Sequence, residues 1–195
     1  MDNSVDPFGA LVTAWGIWMI SWLAAAVWSD RTQARPMLGS QVSYRFLSIV
    51  GGVMLFDNRH WGPSLPSGSA PLWDLGDAGG WAMVGLAIFG FLFCWWARLH
   101  LGRLWSSSVT RKADHHIVDT GPHRLVRHPI YTGLIIAALA TMLQRGTAVS
   151  AAGFAVLTFS FWIKARLEEK FLRSELGADA YDAYARRTGM LVPFL

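Results

Sequence analysis

The side chains able to do chemistry in this sequence fall into two clusters. One is the stretch His115-His116-Ile117-Val118-Asp119-Thr120-Gly121-Pro122-His123-Arg124-Leu125-Val126-Arg127-His128-Pro129-Ile130-Tyr131-Thr132-Gly133, and the other is the doublet Glu168-Glu169. Gly121-Pro122 marks a turn. Arg127-His128-Pro129 stands at the mouth of a helix, because proline is favoured in a first helical turn, where its missing N–H costs nothing. The free N–H groups and positive dipole end of such a mouth suit an anionic group such as a carboxylate. A pair of carboxylates opposite Arg124, Arg127 and His128 neutralises those cations and hydrogen-bonds a polar ligand, an arrangement that suits a zwitterion. His115, His116 and His123 raise the question of zinc, but they lack a set of Cys or spaced acidic ligands. They read as loop histidines, and no metal is expected.

The elements that hold these clusters are apolar. Of the 195 residues, 53% are hydrophobic and 15% charged, with 11 Trp and 11 Phe, too greasy a composition for an ordinary water-soluble domain. A membrane span takes roughly 20 predominantly apolar residues, and five stretches qualify as candidates: 10–28, 42–56, 80–97, 130–144 and 148–163. The expectation is therefore an all-α, polytopic membrane bundle in one domain covering 1–195. Its polar segments, 99–129 and 164–195, lie at the cytoplasmic interface. The second stretch is the shortest and carries Arg45 near its start, where a long side chain can snorkel. The last two form an antiparallel hairpin about Gln144-Arg145-Gly146-Thr147. At about 1.5 Å per residue, His128 to Arg145 is about 25 Å of helix and Thr147 to Glu168 about 31 Å back, so both clusters reach the same membrane face.

Lys and Arg set the orientation, since loops that stay in the cytoplasm carry an excess of them. Arg31, Arg35 and Arg45 fall in one loop, Arg98, Arg103, Arg111, Lys112, Arg124 and Arg127 in the next on that side, and Lys164, Arg166, Lys170, Arg173, Arg186 and Arg187 in the tail. Only Arg59 and Arg145 fall opposite. The N-terminus, with Asp2 and Asp6, is placed outside and the C-terminus inside the cytoplasmic membrane of a prokaryote. The same partition accounts for the basic pI through anionic lipid headgroups, with no need of nucleic acid. The first apolar run lacks a basic n-region and reads as a retained span. Cys94, alone and mid-span, offers neither a disulfide framework nor a metal site. Arg98 and His100, at the inner end of the third stretch, are expected to snorkel. Tyr181 and Tyr184 are expected to share a helix face.

Taken in order, Leu101-Gly102-Arg103-Leu104-Trp105-Ser106, Gly121-Pro122-x-Arg124, Arg127-His128-Pro129-x-Tyr131-x-Gly133, Glu168-Glu169 and Tyr181 to Tyr184 resemble the isoprenylcysteine carboxyl methyltransferases and their bacterial and archaeal relatives, which share signatures with phospholipid N-methyltransferases. The resemblance covers the second half of the chain; the first two spans match in hydropathy alone. It implies S-adenosylmethionine bound at the cytoplasmic end of the bundle, in a pocket lined by residues matching His116, Ile117, Val118 and Gly121, by His128, Pro129 and Tyr131, and by Glu168 and Glu169. Arg124 and Gly133 belong to the same motifs. A lipophilic substrate is then expected to enter from the bilayer. At one position the chain departs from the family pattern, His123 standing where Tyr is usual.

Methyl transfer from a sulfonium is an in-line displacement that needs no metal and no covalent enzyme intermediate, so positioning and water exclusion supply most of the acceleration. A carboxylate acceptor needs only a cation to orient it, for which Arg127 or Arg166 is the candidate. An amine or thiol needs a base, and Glu168, Glu169 or His128 can serve. Two other readings compete: a membrane reductase related to sterol reductases and using NADPH, and a non-catalytic accessory or transport protein.

Overall fold

The computed structural model describes residues 6–25, 39–56, 71–102 and 117–193. Among them are six α-helices: α1 (Pro7–Ala25), α2 (Gly39–Leu55), α3 (Gly76–Leu101), α4 (Pro129–Arg145), α5 (Ala148–Leu176) and α6 (Ala178–Ala185), with a 3-10 turn at Gly121–Arg124 before α4. The fold is all-α. α1, α3 and α5 are each long and apolar enough to cross a membrane.

The helix limits follow local chemistry. α1 begins earlier than hydropathy alone suggests, because Asp6 accepts the Gly9 N–H at 2.9 Å and Pro7 fits a first helical turn. α4 opens at Pro129 and ends at Gly146, whose φ of 62° stops a helix without strain. α5 opens on a reciprocal cap between Thr147 and Ser150. It then runs well past the continuous apolar stretch, because Lys, Arg, Glu and Leu all favour helix and no Gly or Pro intervenes before Gly177. Its 29 residues make a rod about 43 Å long against a hydrocarbon layer of about 30 Å, so the helix is longer than one crossing needs.

The helices are joined by close packing of small residues, as expected where lipid tails remove the hydrophobic drive between helices. A Cβ at Gly90 would lie 2.5 Å from the Gly133 carbonyl oxygen, and one at Gly51 would lie 2.7 Å from the Leu157 nitrogen. These approaches seat α3 on α4 and α2 on α5, the two most extensive helix pairs. One core joins Leu11, Trp18, Phe91, Cys94 and Ala137 across α1, α3 and α4; a second joins Leu55, Ala138 and Leu157 across α2, α4 and α5.

The contacts also give directions. Pro7 meets Gly80 while Ala25 meets Arg98, so α1 and α3 run parallel. Cys94 donates to the Ile130 carbonyl and Gly80 faces Gln144, so α4 runs against α3. Ser48 pairs with Ser160 at 2.8 Å and Gly51 meets Gly153, so α2 runs against α5. Arg98 does not snorkel as expected. It is 2% exposed, donates to the Ala25 carbonyl at 2.5 Å and lies over the Trp22 ring, where it serves the last turn of α1.

Candidate active site

The mouth of α4 and the C-terminal part of α5 meet. His128, the residue before Pro129, turns its ring toward the acidic doublet: Nδ1 lies 3.4 Å from Glu168 Oε2, and Nε2 lies 3.4 Å from Glu169 Oε1. The second contact is not aligned as a hydrogen bond, which leaves Nε2 buried without a partner. Tyr131, one turn into α4, donates its hydroxyl to Glu168 Oε1 at 2.6 Å. Its ring stacks between His128, 5.4 Å away between centroids, and Phe161, 5.6 Å away. Arg127 Nε donates to Glu169 Oε1 at 2.6 Å.

These surroundings decide the charge states. Burial opposes a charge on His128, but the two carboxylates outweigh it and hold the imidazole above its ordinary pKa. Burial would raise Glu168, yet His128, Lys164 and the Tyr131 hydroxyl prevail and hold it below the usual carboxylate range. Glu169 is likewise held low against burial, by His128 and Arg127. Both acids stay ionised at neutral pH.

The C-terminal segment completes the site. Arg127 Nη1 donates to the Ala185 carbonyl at 2.9 Å and to that of Thr188, while the Arg127 and His128 N–H groups donate to the Gly189 and Met190 carbonyls at 2.8 and 3.1 Å. Val126 and Gly189 form an isolated parallel bridge, and Thr132 Oγ1 donates to the Leu191 carbonyl at 2.8 Å. Tyr181 and Tyr184 share a face, as expected; both are buried, and Tyr184 donates to the His123 carbonyl at 2.8 Å. His123 is a buried residue of the 3-10 turn, 5% exposed, and so departs from its expectation as a loop histidine. Burial, with His100 and His128 nearby, pushes its pKa down to about 4.

The structure thus brings together Arg127, His128, Pro129, Tyr131, Glu168 and Glu169. Gly121 starts the 3-10 turn with φ 57°, against the His100 ring, and Ile117 and Val118 are half-buried just before it. Gly133 lies in the α3–α4 seam, a packing position. His116, like Arg103 and Trp105, lies outside the described residues. Two further residues of the expected site lie apart from this cluster. Arg124 is exposed, because the tight 3-10 turn buries Pro122 and His123 and turns the next residue outward. Arg166 is exposed too, with its guanidinium 5.8 Å from the Trp162 ring centroid. At 3.6 residues per turn it lies about 200° round the helix from Glu168.

By the same arithmetic Lys164 lies about 40° from Glu168, on its face. Its Nζ is 5.1 Å from the Tyr131 ring centroid and 5.7 Å from that of Tyr44 on α2. The i, i+4 spacing from Glu168 was the signal that marks Lys164 in the sequence. The carbonyls of 188–191 carry no such signal, since backbone groups have no residue type.

An all-α intramembrane fold with an ionised polar site at one end is what these elements define. Residues 83–174, just under half of the chain, match the family model described as the isoprenylcysteine carboxyl methyltransferase family. It is 32% identical over 88 residues to protein-S-isoprenylcysteine O-methyltransferase B of Arabidopsis thaliana, covering 45% of this chain and 44% of that protein. With the O-methyltransferase of Schizosaccharomyces pombe it shares 32% over 102 residues, 51% and 43% of the two chains. With the methanethiol S-methyltransferase of a Pseudomonas species it shares 44% over 73 residues, 36% and 26% of the two. Each match spans less than half of the relative's own length. A solved structure of the eukaryotic intramembrane Ras methyltransferase superposes with a TM-score of 0.63 at 18% identity, over 96% of this chain and 66% of that one, a likeness of fold.

Proposed function

We propose that the protein transfers a methyl group from S-adenosylmethionine to a lipophilic acceptor that reaches the site from the bilayer. The observation that carries this reading is the meeting of Arg127-His128-Pro129 with Glu168-Glu169, within the stretch matched by the family model. The residues fit that ligand. Two ionised carboxylates keep further acceptor capacity for its ammonium and hydroxyl groups, and the buried, unpartnered His128 Nε2 offers a polar atom in the same place.

When bound, the sulfonium supplies an activated methyl electrophile. The chain's own residues bind, orient and exclude water. Tyr131 and His128 hold Glu168, and Arg127 holds Glu169, so neither carboxylate has to be ordered as the ligand arrives. Arg127 is a positioning residue: its guanidinium is committed to Glu169 and to the carbonyls of Ala185 and Thr188. For a proton-bearing acceptor, Glu168 is the candidate base. The methanethiol-methylating relative favours a thiol as the second reading of the acceptor.

In this proposal α2 and α4 cross the membrane beside α1, α3 and α5, five crossings in all, with the start of α1 outside and the site on the cytoplasmic face of a prokaryotic membrane. The antiparallel α2–α5 and α3–α4 pairs support it. Reporter fusions should be active inside at 164–195 and outside at 57–70; the reverse pattern would overturn the orientation. The function is tested by incubating purified protein with isotopically labelled S-adenosylmethionine and a lipid extract of its host. Label is expected in a lipid-soluble product identified by mass. No label in any extracted lipid, thiol or carboxylate would sink the reading.

A further inference from the structure

His100, near the end of α3, makes three contacts with the turn that precedes α4. Its Nε2 lies 2.8 Å from Thr120 Oγ1, a hydrogen bond between residues 20 apart in sequence. Its ring lies against Gly121, where a Cβ would come within 2.7 Å of the ring Cε1 and 2.9 Å of Nδ1. The same ring stacks on that of His123, with centroids 6.3 Å apart and planes 26° from parallel.

The turn gives up local bonding for this contact. Thr120 stands at the N-cap of the 3-10 turn, where a threonine hydroxyl ordinarily accepts from the backbone N–H groups that follow. Its side chain makes no cap bond and meets His100 instead. Gly121, at φ 57°, adopts a conformation that a Cβ resists and leaves the ring the space a Cβ would fill. His100 and Thr120 are both exposed, so water can replace either partner and their bond adds little to the stability of the fold.

What the contact fixes is position. The second half of the turn is held elsewhere: Tyr184 donates to the His123 carbonyl at 2.8 Å, and Val126 bridges to Gly189 on the way into α4. The leading half runs from Ile117 and Val118, both half-buried, to Gly121. Asp119 reaches the tail through Arg187 at 3.8 Å, an exposed pair that contributes little. His100 is what seats this half on α3.

We propose that His100 is a positioning residue for the methyl donor: it holds Ile117 to Gly121 in the place from which they meet a molecule bound at His128, Glu168 and Glu169. The proposal rests on the methyltransferase reading above. His100 acts on binding, because a segment already ordered spares the ligand the cost of ordering it. Thr120 is the handle by which the ring grips the turn.

The test is a double-substitution cycle read in two ways. Purified full-length protein in phosphatidylcholine nanodiscs is titrated with S-adenosylmethionine, and its melting temperature is measured in parallel. His100→Ala and Thr120→Val are each expected to weaken S-adenosylmethionine binding about fivefold, the size of one hydrogen bond. The double variant should bind no more weakly than His100→Ala, since either change removes the same bond. His100→Gln and Thr120→Ser keep a group that can make the bond and should bind within about twofold of wild type. All variants should melt within about 2 °C of wild type. Wild-type affinity in His100→Ala, or losses that simply add in the double variant, would overturn the assignment. So would an affinity loss matched by an equal loss of stability, which would make His100 a residue of the fold alone. Failure of the wild type to bind S-adenosylmethionine sinks the functional reading; binding by the wild type without coupling between His100 and Thr120 sinks only this one.

Discussion

Arg127 Nε donates to Glu169 Oε1 across 2.6 Å, and the same guanidinium donates through Nη1 to the Ala185 and Thr188 carbonyls. One planar group therefore ties the mouth of α4 to α5 and to the C-terminal segment. Lysine has the charge without the fork. Arg127→Lys is expected to speed limited proteolysis within 177–193 several-fold and to weaken S-adenosylmethionine binding about tenfold. Unchanged cleavage would show that the segment is held by its backbone bonds alone.

Glu168→Gln keeps the shape of the side chain and the Tyr131 contact but removes the charge. Hydrogen bonds to charged groups contribute about 1.5–3 kcal/mol, so a loss of roughly 10- to 100-fold in S-adenosylmethionine affinity is expected, with little change in melting temperature. Titration calorimetry in detergent measures it. Affinity equal to wild type would remove Glu168 from the ligand.

His123 makes the protein acid-sensitive. Its folded pKa of about 4 lies below the ordinary 6.5, so its stabilising contribution is complete above pH 6.5 and is lost as pH falls through that range toward 4. The full loss amounts to roughly 3 kcal/mol. His128, whose pKa is raised, works the other way: its contribution is complete below pH 6.5 and is lost as pH rises through the folded value. Comparing wild type with His123→Gln cancels His128. The wild type is expected to lose more Tm between pH 7 and 4.5 than the variant, and parallel curves would contradict the assignment.

Gly133 tests packing against chemistry. A Cβ there would lie 2.5 Å from the Gly90 carbonyl oxygen and 2.6 Å from Cys94 Sγ. Gly133→Ala is expected to destabilise the protein by about 1–3 kcal/mol, read as a lower Tm, by pushing α3 from α4. A variant as stable as wild type but unable to bind S-adenosylmethionine would move Gly133 from the seam to the ligand.

The juxtaposition of the two clusters was legible in the sequence, because two helices of known rise joined by a short turn return Glu168 to the level of His128. The inward cation was missed: Arg166 was the candidate, although the i, i+4 spacing puts Lys164 on the face of Glu168. The length of α5 was not legible, because a run of charges ends an apolar stretch without ending a helix. The burial of Arg98 and His123 and the role of the 188–191 carbonyls depend on which segments pack over them, and no local pattern encodes that.

The reach of α5 has a last consequence. From Ala148 to Glu168 the axis measures about 30 Å, the depth of a bilayer's oily interior. On the proposed reading, a tail-anchored compound meets the carboxylates only if few bonds separate its greasy end from its reacting atom. A long hydrophilic spacer would overshoot. The helix then acts as a gauge, sorting molecules by the height of their reactive atom as well as by its kind.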